Sequence, residues 1–242
     1  MAHLSYPFYI IFGVLPSIIW LLFYLRKDVH PEPKLEVIKI FFYGMLIAIP
    51  AVFLEMGIFK GFDKIGGWMA LSPFLITIFN TFIGVALIEE VLKYLVVREK
   101  VLKNPEFDEP IDAVLYMIIA ALGFAALENI LILFRLGPGF LVSRALEISA
   151  LRFLGATFLH ALCSGMVGYF LALSFFETKK RVIILSLGLG ISIILHGFYN
   201  FSIMEIGGDL KFLIPVVILI SLAILVSLGF KRLKKLASIC KI

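Results

Sequence analysis

Charged residues are scarce in this chain of 242 residues: Asp, Glu, Lys and Arg make up 16% of it, whereas apolar residues make up 62%. A typical soluble domain is about a quarter charged and about half apolar. With a mean hydropathy of +1.07, the chain has too little polar surface to cover a fold that is surrounded by water. The composition therefore excludes an ordinary soluble protein and predicts an integral membrane protein.

Cysteine is also scarce, and no polar domain is present. Cys163 lies in an apolar segment and Cys240 in a basic tail, so the two residues form neither a disulfide framework nor a CxxC metal site. The net charge of +5 is best explained by attraction to an anionic leaflet, and we expect no nucleic-acid partner. Because the N-terminus lacks a basic n-region and an A-x-A-like cleavage site, we expect the first apolar run to be a retained helix.

Seven apolar runs of about 18 residues or more are long enough to cross a bilayer as helices. They cover residues 8–25, 37–59, 70–97, 111–134, 151–176, 182–203 and 212–230. Turn-forming residues separate them, namely Pro31 and Pro33, Gly66-Gly67, Asn104-Pro105, Gly137-Pro138-Gly139 and Gly207-Gly208-Asp209. The segment 140–150 is too short to span, so it is either an interfacial helix or an extension of the fifth span. The sequence predicts an all-α bundle of about seven transmembrane helices and one domain over residues 1–242.

Lysine and arginine are distributed unequally between the loops. Fourteen lie on the side reached after the first, third, fifth and seventh spans: Arg26, Lys27, Lys34, Arg98, Lys100, Lys103, Lys179, Lys180, Arg181, Lys231, Arg232, Lys234, Lys235 and Lys241. Five lie on the other side: Lys60, Lys64, Arg135, Arg144 and Lys211. Because cytoplasmic loops carry the excess of positive charge, we expect the N-terminus outside and the C-terminus inside. Residues 231–242 then form a basic cytoplasmic tail.

Ionisable residues nevertheless occur inside the spans. They are Lys39, Glu55, Glu89, Glu90, Lys93, Asp112, Glu128, Arg152, His160 and His196. A charge at mid-span costs about 2.5–3.5 kcal/mol on insertion scales, so such residues face the bundle interior or a water-filled cavity. Lys39 is the exception, since it lies close enough to a span end to extend its ammonium to the interface.

The third span contains two adjacent carboxylates and a lysine. Glu89 and Lys93 are four residues apart and share one helix face. In a medium of low dielectric constant Glu89 and Glu90 disfavour joint ionisation, whereas Lys93 opposes that effect. The pattern suits a general base, and it equally suits a structural Glu–Lys pair near the cytoplasmic end of the span.

Three further spans carry polar or small residues at four-residue steps. The stripes are Asp112, Tyr116, Ala120, Phe124 and Glu128 in the fourth span, His160, Ser164 and Gly168 in the fifth, and Gly188, Ser192, His196 and Asn200 in the sixth. We expect these stripes to face one another around a shared cavity, with the small residues allowing close helix contact. Straight helices place Glu89 at about 13 Å from the cytoplasmic edge and the other ionisable groups at about 20–25 Å.

These motifs together resemble the PrsW family of glutamic-type intramembrane proteases, which is related to the CAAX prenyl endopeptidases and to the scaffold subunit of γ-secretase. The matching residues are Glu89, Glu90 and Lys93 for EExxK, Phe124, Glu128 and Asn129 for FxxxEN, Arg152 and His160 for a following Arg/His motif, and His196 and Asn200 for HxxxN. Glu32-Pro33 is also similar to this family. The resemblance covers residues 20–203, and its motif-bearing core covers about 70–203.

The resemblance implies a role for each matching residue. Glu89 would be the general base, and Glu128 or His160 would position the water or return its proton. His196 and Asn200 would donate hydrogen bonds to the oxyanion. The remaining residues would support these groups: Glu90, Lys93, Phe124, Asn129 and Arg152. The resemblance implies no metal and no other cofactor, a single-pass membrane protein such as an anti-sigma factor as substrate, and the plasma membrane of a bacterium or archaeon.

Three alternatives stay open at this point. Two glutamates and two histidines can bind zinc, although the HExxH motif is absent. A proton-coupled transporter also places ionisable groups at mid-bilayer, but we find no inverted repeat. A non-catalytic scaffold would not need the intact EExxK motif. A Ser–His–Asp set has little support, because Ser164 and His160 lie on the same helix.

Overall fold

The computed structural model describes residues 5–28, 30–104, 107–137 and 142–236. In chain order, the α-helices of these residues are α1 (Ser5–Leu25), α2 (Lys34–Met69), α3 (Pro73–Phe79), α4 (Ile88–Lys100), α5 (Pro110–Phe134), α6 (Val142–Leu154), α7 (Ala156–Phe176), α8 (Arg181–Glu205) and α9 (Leu210–Leu233). A π-helical segment, Asn80–Leu87, joins α3 to α4, and a 3₁₀ turn, Thr178–Lys180, precedes α8. Seven segments are long and apolar enough to cross a membrane, which confirms the predicted all-α bundle.

Helix α5 lies at the centre of the bundle. Every residue from 110 to 126 is buried, and the helix packs against α1, α2 and α7. A transmembrane helix that carries ionisable side chains turns them to the bundle interior rather than to lipid. Small residues bring the backbones close, as predicted. A Cβ atom at Gly44 of α2 would collide with the carbonyl oxygen of Ala120, and one at Gly168 of α7 would lie 2.6 Å from that of Ala113.

Helix α2 continues past its predicted end at residue 59 and past the Gly66-Gly67 pair that the sequence predicts as a turn. The helix ends instead at Ala70, which adopts a left-handed conformation (φ 51°) and donates its N–H to the carbonyl oxygen of Gly66. Ser72 then caps α3 by accepting a hydrogen bond from the N–H of Leu75. The helix boundary is therefore set by capping groups rather than by the glycine pair.

The predicted fifth span is broken at Gly155, between α6 and α7. A Cβ atom at Gly155 would collide with the hydroxyl of Tyr199, so glycine allows α8 to approach the break. Because α6 leads directly into α7, the segment 140–150 is an extension of the fifth span as far as it is described. Parts of four predictions lie outside the described residues: residues 140 and 141 of the short segment, Pro105 of one turn, Pro138 and Gly139 of another, and residues 237–242 of the tail.

The polar stripe of α5 does not face one cavity along its whole length, so that part of the prediction was wrong. Tyr116 donates its hydroxyl proton to Glu32 at 2.6 Å, and Asp112 caps the start of α5 by accepting backbone N–H groups of Asp108 and Glu109. The middle of the stripe, at Ala120, is in contact with α2. Close packing around α5 therefore separates a group of carboxyls at its N-terminal end from the ionisable cluster near its C-terminal end.

Glu32, in the loop between α1 and α2, provides a test of this packing because its carboxyl is partly buried beside Tyr116 and Asp112. Burial raises its pKa from 4.5 to about 8, and the negative charge of Asp112 adds to the effect. Between pH 4.5 and about 8 the folded protein therefore holds a proton on Glu32 that the unfolded chain releases. The contribution of Glu32 to the free energy of unfolding is full below pH 4.5 and is lost as the pH rises through 8. We expect a loss on the order of 1 kcal/mol, because water screens this partly exposed group.

The measurement is the melting temperature of the detergent-solubilised protein as a function of pH. Glu32→Gln can still accept the hydrogen bond from Tyr116 but cannot ionise, so its melting temperature should fall less steeply over the same pH range. An identical slope in the parent and Glu32→Gln proteins would mean that another group causes the pH dependence.

Candidate active site

Ionisable side chains from four helices converge inside the bundle. The residues are Glu89, Glu90 and Lys93 of α4, Glu128 of α5, His160 of α7 and His196 of α8. The π-helical segment Asn80–Leu87 leads directly into this part of α4. Its i→i+5 hydrogen bonding changes the face that the following turn presents to the bundle. The structure brings together residues from the EExxK, FxxxEN, Arg/His and HxxxN motifs, whereas Glu32-Pro33 lies at the other end of α5.

Lys93 lies at the centre of this cluster, and its side chain is fully buried. Its ammonium donates hydrogen bonds to Glu89 Oε2 at 3.1 Å, to Glu90 Oε1 at 2.9 Å and to His160 Nδ1 at 2.8 Å. It also lies 4.5 Å from the centre of the Phe124 ring, a cation–π distance. An ammonium has three protons to donate, so all its donors are used. Two carboxylates compensate its buried charge, as burial of an ion requires.

Glu90 is held by three side chains from three helices. It accepts hydrogen bonds from Lys93, from Ser164 Oγ at 3.1 Å and from His196 Nδ1 at 3.0 Å. Its residue surface is fully buried. Ser164 belongs to the predicted stripe of the fifth span, and its hydroxyl fixes this carboxylate rather than acting as a nucleophile. Glu90 is therefore a group that orients its neighbours, since its oxygens are already occupied by donors.

The donor and acceptor roles of His160 follow from its two partners. Because the Lys93 ammonium can only donate, His160 Nδ1 accepts, and its Nε2–H donates to Glu128 Oε2 at 2.9 Å. Arg152 donates to the same oxygen of Glu128 at 2.7 Å. His160 therefore connects the buried Lys93 to Glu128, whose side chain is 29% exposed.

Asn129 anchors the arginine side of this network. It accepts a hydrogen bond from Arg152 Nε and donates to the carbonyl oxygen of Gly13 at 3.2 Å and to Thr157 Oγ1 at 3.0 Å. These bonds link α1, α5, α6 and α7. Asn129 and Arg152 reach the cluster through Glu128 rather than through Glu89.

Glu89 lies between the two histidines. Its Oε2 is 3.6 Å from His160 Nδ1 and 3.9 Å from His196 Nε2. Polar atoms at such distances can be bridged by a water molecule. Straight helices predict Glu89 nearer the cytoplasmic edge than the histidines, whereas the structure brings its carboxylate within 4 Å of nitrogen atoms of both.

A cavity of about 480 Å³ lies beside this cluster, and Glu89, Glu128 and Asn200 are among its lining residues. It continues to Arg135 and Glu205, at the C-terminal ends of α5 and α8. These helix ends are on the side opposite to the basic loops. The cavity therefore leads from the buried glutamate towards that side of the bundle.

Comparison with known proteins identifies the family to which the chain belongs. The sequence profile described as "PrsW family intramembrane metalloprotease" matches residues 32–228. The chain belongs to the PrsW family. No solved structure matches it.

Curated relatives extend over most of the chain. Protease PrsW of Bacillus subtilis (strain 168) is 29% identical over 229 residues, which are 94% of this chain and 94% of the relative. Protease PrsW of Geobacillus kaustophilus (strain HTA426) is 32% identical over 194 residues, 79% of this chain and 78% of the relative. Protease PrsW of Clostridioides difficile (strain 630) is 28% identical over 195 residues, 79% of this chain and 77% of the relative. This PrsW-family protein is thus a multi-pass bacterial membrane protease, which favours the enzyme over the transporter and the scaffold.

The PrsW-family motifs do not include every polar residue that lines the cavity. Glu55 of α2, Asn80 and Thr81 of the π-helical segment, and Arg135 after α5 also line it. The sequence marks Glu55 as a charge inside a span but gives it no partner. Asn80 and Thr81 lie in a region that hydropathy reads as an ordinary helix, although π-helical turns occur often at functional sites.

Proposed function

We propose that this protein is an intramembrane endopeptidase in which Glu89 activates the attacking water. The observation that carries this proposal is the position of Glu89, which lines the cavity while its carboxylate lies within 4 Å of nitrogen atoms of two histidines. Buried carboxylates in a membrane span mark functional sites by default, because they are costly to insert. A general base needs this proximity to a water that a substrate can also reach.

The proposed reaction begins with a water beside Glu89. The Glu89 carboxylate takes a proton from the water as its oxygen attacks the carbonyl carbon of the scissile peptide, and a tetrahedral oxyanion forms. The C–N bond then breaks, and the proton passes from Glu89 to the leaving amine, either directly or through His160. Lys93 holds Glu89 by its hydrogen bond at 3.1 Å, so the base is oriented before the substrate binds.

Asn200 and His196 are the proposed donors to the oxyanion. Asn200 lines the cavity on the side of α8, and His196 lies one helical turn earlier. In its doubly protonated form His196 would donate Nδ1–H to Glu90, as in the structure, and present Nε2–H towards Glu89 and the cavity. Donors that are fixed before the reaction stabilise the developing charge without reorganisation.

The proposed substrate is a single-pass membrane protein, such as an anti-sigma factor, cut within or beside its span. The cavity is lined by apolar residues, chiefly of α2 and α5, together with polar groups at its inner end. Such a lining suits an unwound apolar segment whose peptide bond must reach a polar cluster. We place this reaction in the bacterial plasma membrane.

A metal-dependent reaction is the second candidate, and the family description names a metalloprotease. Glu89, His160 and His196 each offer one ligand atom, and these atoms all lie within 4.8 Å of one another. Two histidines and one glutamate form the ligand set of several catalytic zinc sites. The second nitrogen of each histidine is hydrogen-bonded to a carboxylate, as is usual for metal ligands. The residues therefore fit zinc, which would supply Lewis-acid polarisation and a more acidic water.

Lys93 favours the first candidate over the second. Its ammonium lies 3.1 Å from the Glu89 oxygen and 2.8 Å from the His160 nitrogen that would otherwise be the metal ligands. A metal ion at this position would compete with a fixed, buried positive charge for the same lone pairs. Lys93 already neutralises part of the negative charge of Glu89 and Glu90, so we place the glutamate mechanism first.

The test is cleavage in liposomes. The purified protein is reconstituted with a panel of tagged single-pass membrane proteins, and products are identified by mass spectrometry with and without a strong chelator. We expect cleavage that the chelator leaves unchanged. Cleavage that the chelator abolishes and Zn²⁺ restores would replace the glutamate mechanism with the metal-dependent one, and the absence of any product from a folded protein would contradict the peptidase proposal.

A further inference from the structure

A second large cavity lies on the outside of the bundle, away from the candidate active site. It is a groove of about 780 Å³ between α1, α9 and the junction of α6 with α7. Its inner end, towards the middle of the bilayer, includes Ile19 of α1 and Ala223 of α9. Its outer end, towards the basic loops, includes Lys27 and Lys231, each eight residues further along the chain. Eight residues correspond to about 12 Å along a helix. The groove therefore extends through most of one leaflet of the hydrocarbon core, which is about 15 Å thick per leaflet.

Aromatic rings form the apolar part of the groove. Trp20 stacks on Phe158, with ring centres 4.1 Å apart and planes within 9° of parallel, and on Phe153 at 5.2 Å. Its indole N–H donates to the carbonyl oxygen of Phe153 at 2.9 Å. On the other side, Tyr24 stacks against Phe230 at 6.1 Å. The walls are thus held in place by contacts within the protein, so the groove is a formed feature rather than a gap between mobile side chains.

Three lysines surround the outer end of the groove. Lys27, Lys231 and Lys234 line it, and all three are exposed. Among the described residues that line the groove, none is acidic. Lys234 also borders a neighbouring cavity with Asp28 and Glu109, whereas Lys27 lies over the ring of Phe23 at 4.6 Å. The groove therefore combines an apolar interior within the hydrocarbon core with a positively charged rim at its end towards the basic loops.

We propose that this groove binds an anionic glycerophospholipid of the leaflet on the side of the basic loops. One acyl chain would lie against Trp20 and Phe158, and the phosphate would lie among Lys27, Lys231 and Lys234. Basic pockets between transmembrane helices on this side select anionic head groups, and each nearby Lys or Arg contributes to the attraction. The lipid would connect α1 to α9 and to the helix break at Gly155. It would lie against the outer face of α7, whose inner face carries His160.

Tryptophan fluorescence gives a direct test, because the chain has only Trp20 and Trp68. Trp68 is 86% exposed at the end of α2, so Trp68→Phe leaves Trp20 as the single reporter in the groove. Lipids brominated on the acyl chains quench a tryptophan that they contact. In liposomes of mixed composition we expect brominated phosphatidylglycerol to quench Trp20 at a mole fraction about tenfold lower than brominated phosphatidylcholine does.

Charge variants in the same Trp68→Phe background test the role of the rim. The triple substitution Lys27→Gln, Lys231→Gln and Lys234→Gln should bring the ratio of the two quenching mole fractions close to one. The matched triple with arginine should retain the tenfold preference for phosphatidylglycerol. The control triple Lys103→Gln, Lys179→Gln and Lys180→Gln removes the same charge from exposed positions on the same side of the bundle and should also retain it. Equal quenching by the two lipids in the parent, or an equal loss in the control triple, would overturn the proposal. So would displacement of the lipid by free glycerol phosphate, which lacks acyl chains.

Discussion

Glu89→Gln is expected to lower the rate of substrate cleavage by about 10²–10⁴-fold, the range that a general base contributes. Glutamine has nearly the same size as glutamate, and its side-chain oxygen can still accept the hydrogen bond from Lys93. It cannot take a proton from water at neutral pH, so the loss falls on the chemical step. Because Glu90 remains paired with Lys93 at 2.9 Å, the variant should still fold and insert.

The measurement is initial cleavage rate in liposomes, together with the melting temperature of each purified protein. Glu99→Gln is a matched control, because Glu99 lies on the same helix, is exposed and pairs with Arg98 at the helix end. It should cleave at the parent rate. A Glu89→Gln protein that retains the parent rate would contradict the assignment of Glu89 as the base, whatever the result with the chelator.

The fold could be predicted from the sequence because the bilayer constrains it strongly. Seven apolar runs of sufficient length require seven helices, since no other structure satisfies the backbone of a single segment in lipid. The cost of charge in lipid explains why α5, which carries a stripe of polar and ionisable residues, lies at the centre. Hydropathy does not depend on the hydrogen-bond pattern, however, so it predicts an ordinary α-helix where the structure has the π-helical segment Asn80–Leu87.

The candidate site was predictable in its composition but not in its connections. Charges that are costly to insert identify Glu89, Glu128 and His160 as interior residues. That His160 bonds to Glu128 while His196 bonds to Glu90 depends on the relative rotation of three helices. This rotation is set by packing between residues far apart in the chain. The spacing of residues along one helix gives no information about it. The N-terminal half of the α5 stripe shows the same limit, because its Asp112 and Tyr116 lie beside Glu32 instead.

Lys93→Met is expected to reduce both stability and activity, and its stability effect should be the largest of any single substitution in the cluster. The ammonium is fully buried and bonds to two carboxylates and one histidine. Methionine fills a similar volume but leaves Glu89 and Glu90 buried beside each other without a counter-charge. Removing one partner of a buried ion pair costs about 3–5 kcal/mol, because the remaining charge stays desolvated. We expect a large fall in melting temperature and a loss of cleavage.

A double substitution separates the two consequences of losing Lys93. Adding Glu90→Gln to Lys93→Met removes one of the two uncompensated charges, so part of the stability should return. Cleavage should not return, because Glu89 would still lack the hydrogen bond that orients it at the inner end of the cavity. If Lys93→Met were as stable as the parent protein, the carboxylates would have to be neutral in the folded protein. A Glu89 that is neutral at the pH of cleavage cannot act as the base, so this single measurement also bears on the proposed chemistry.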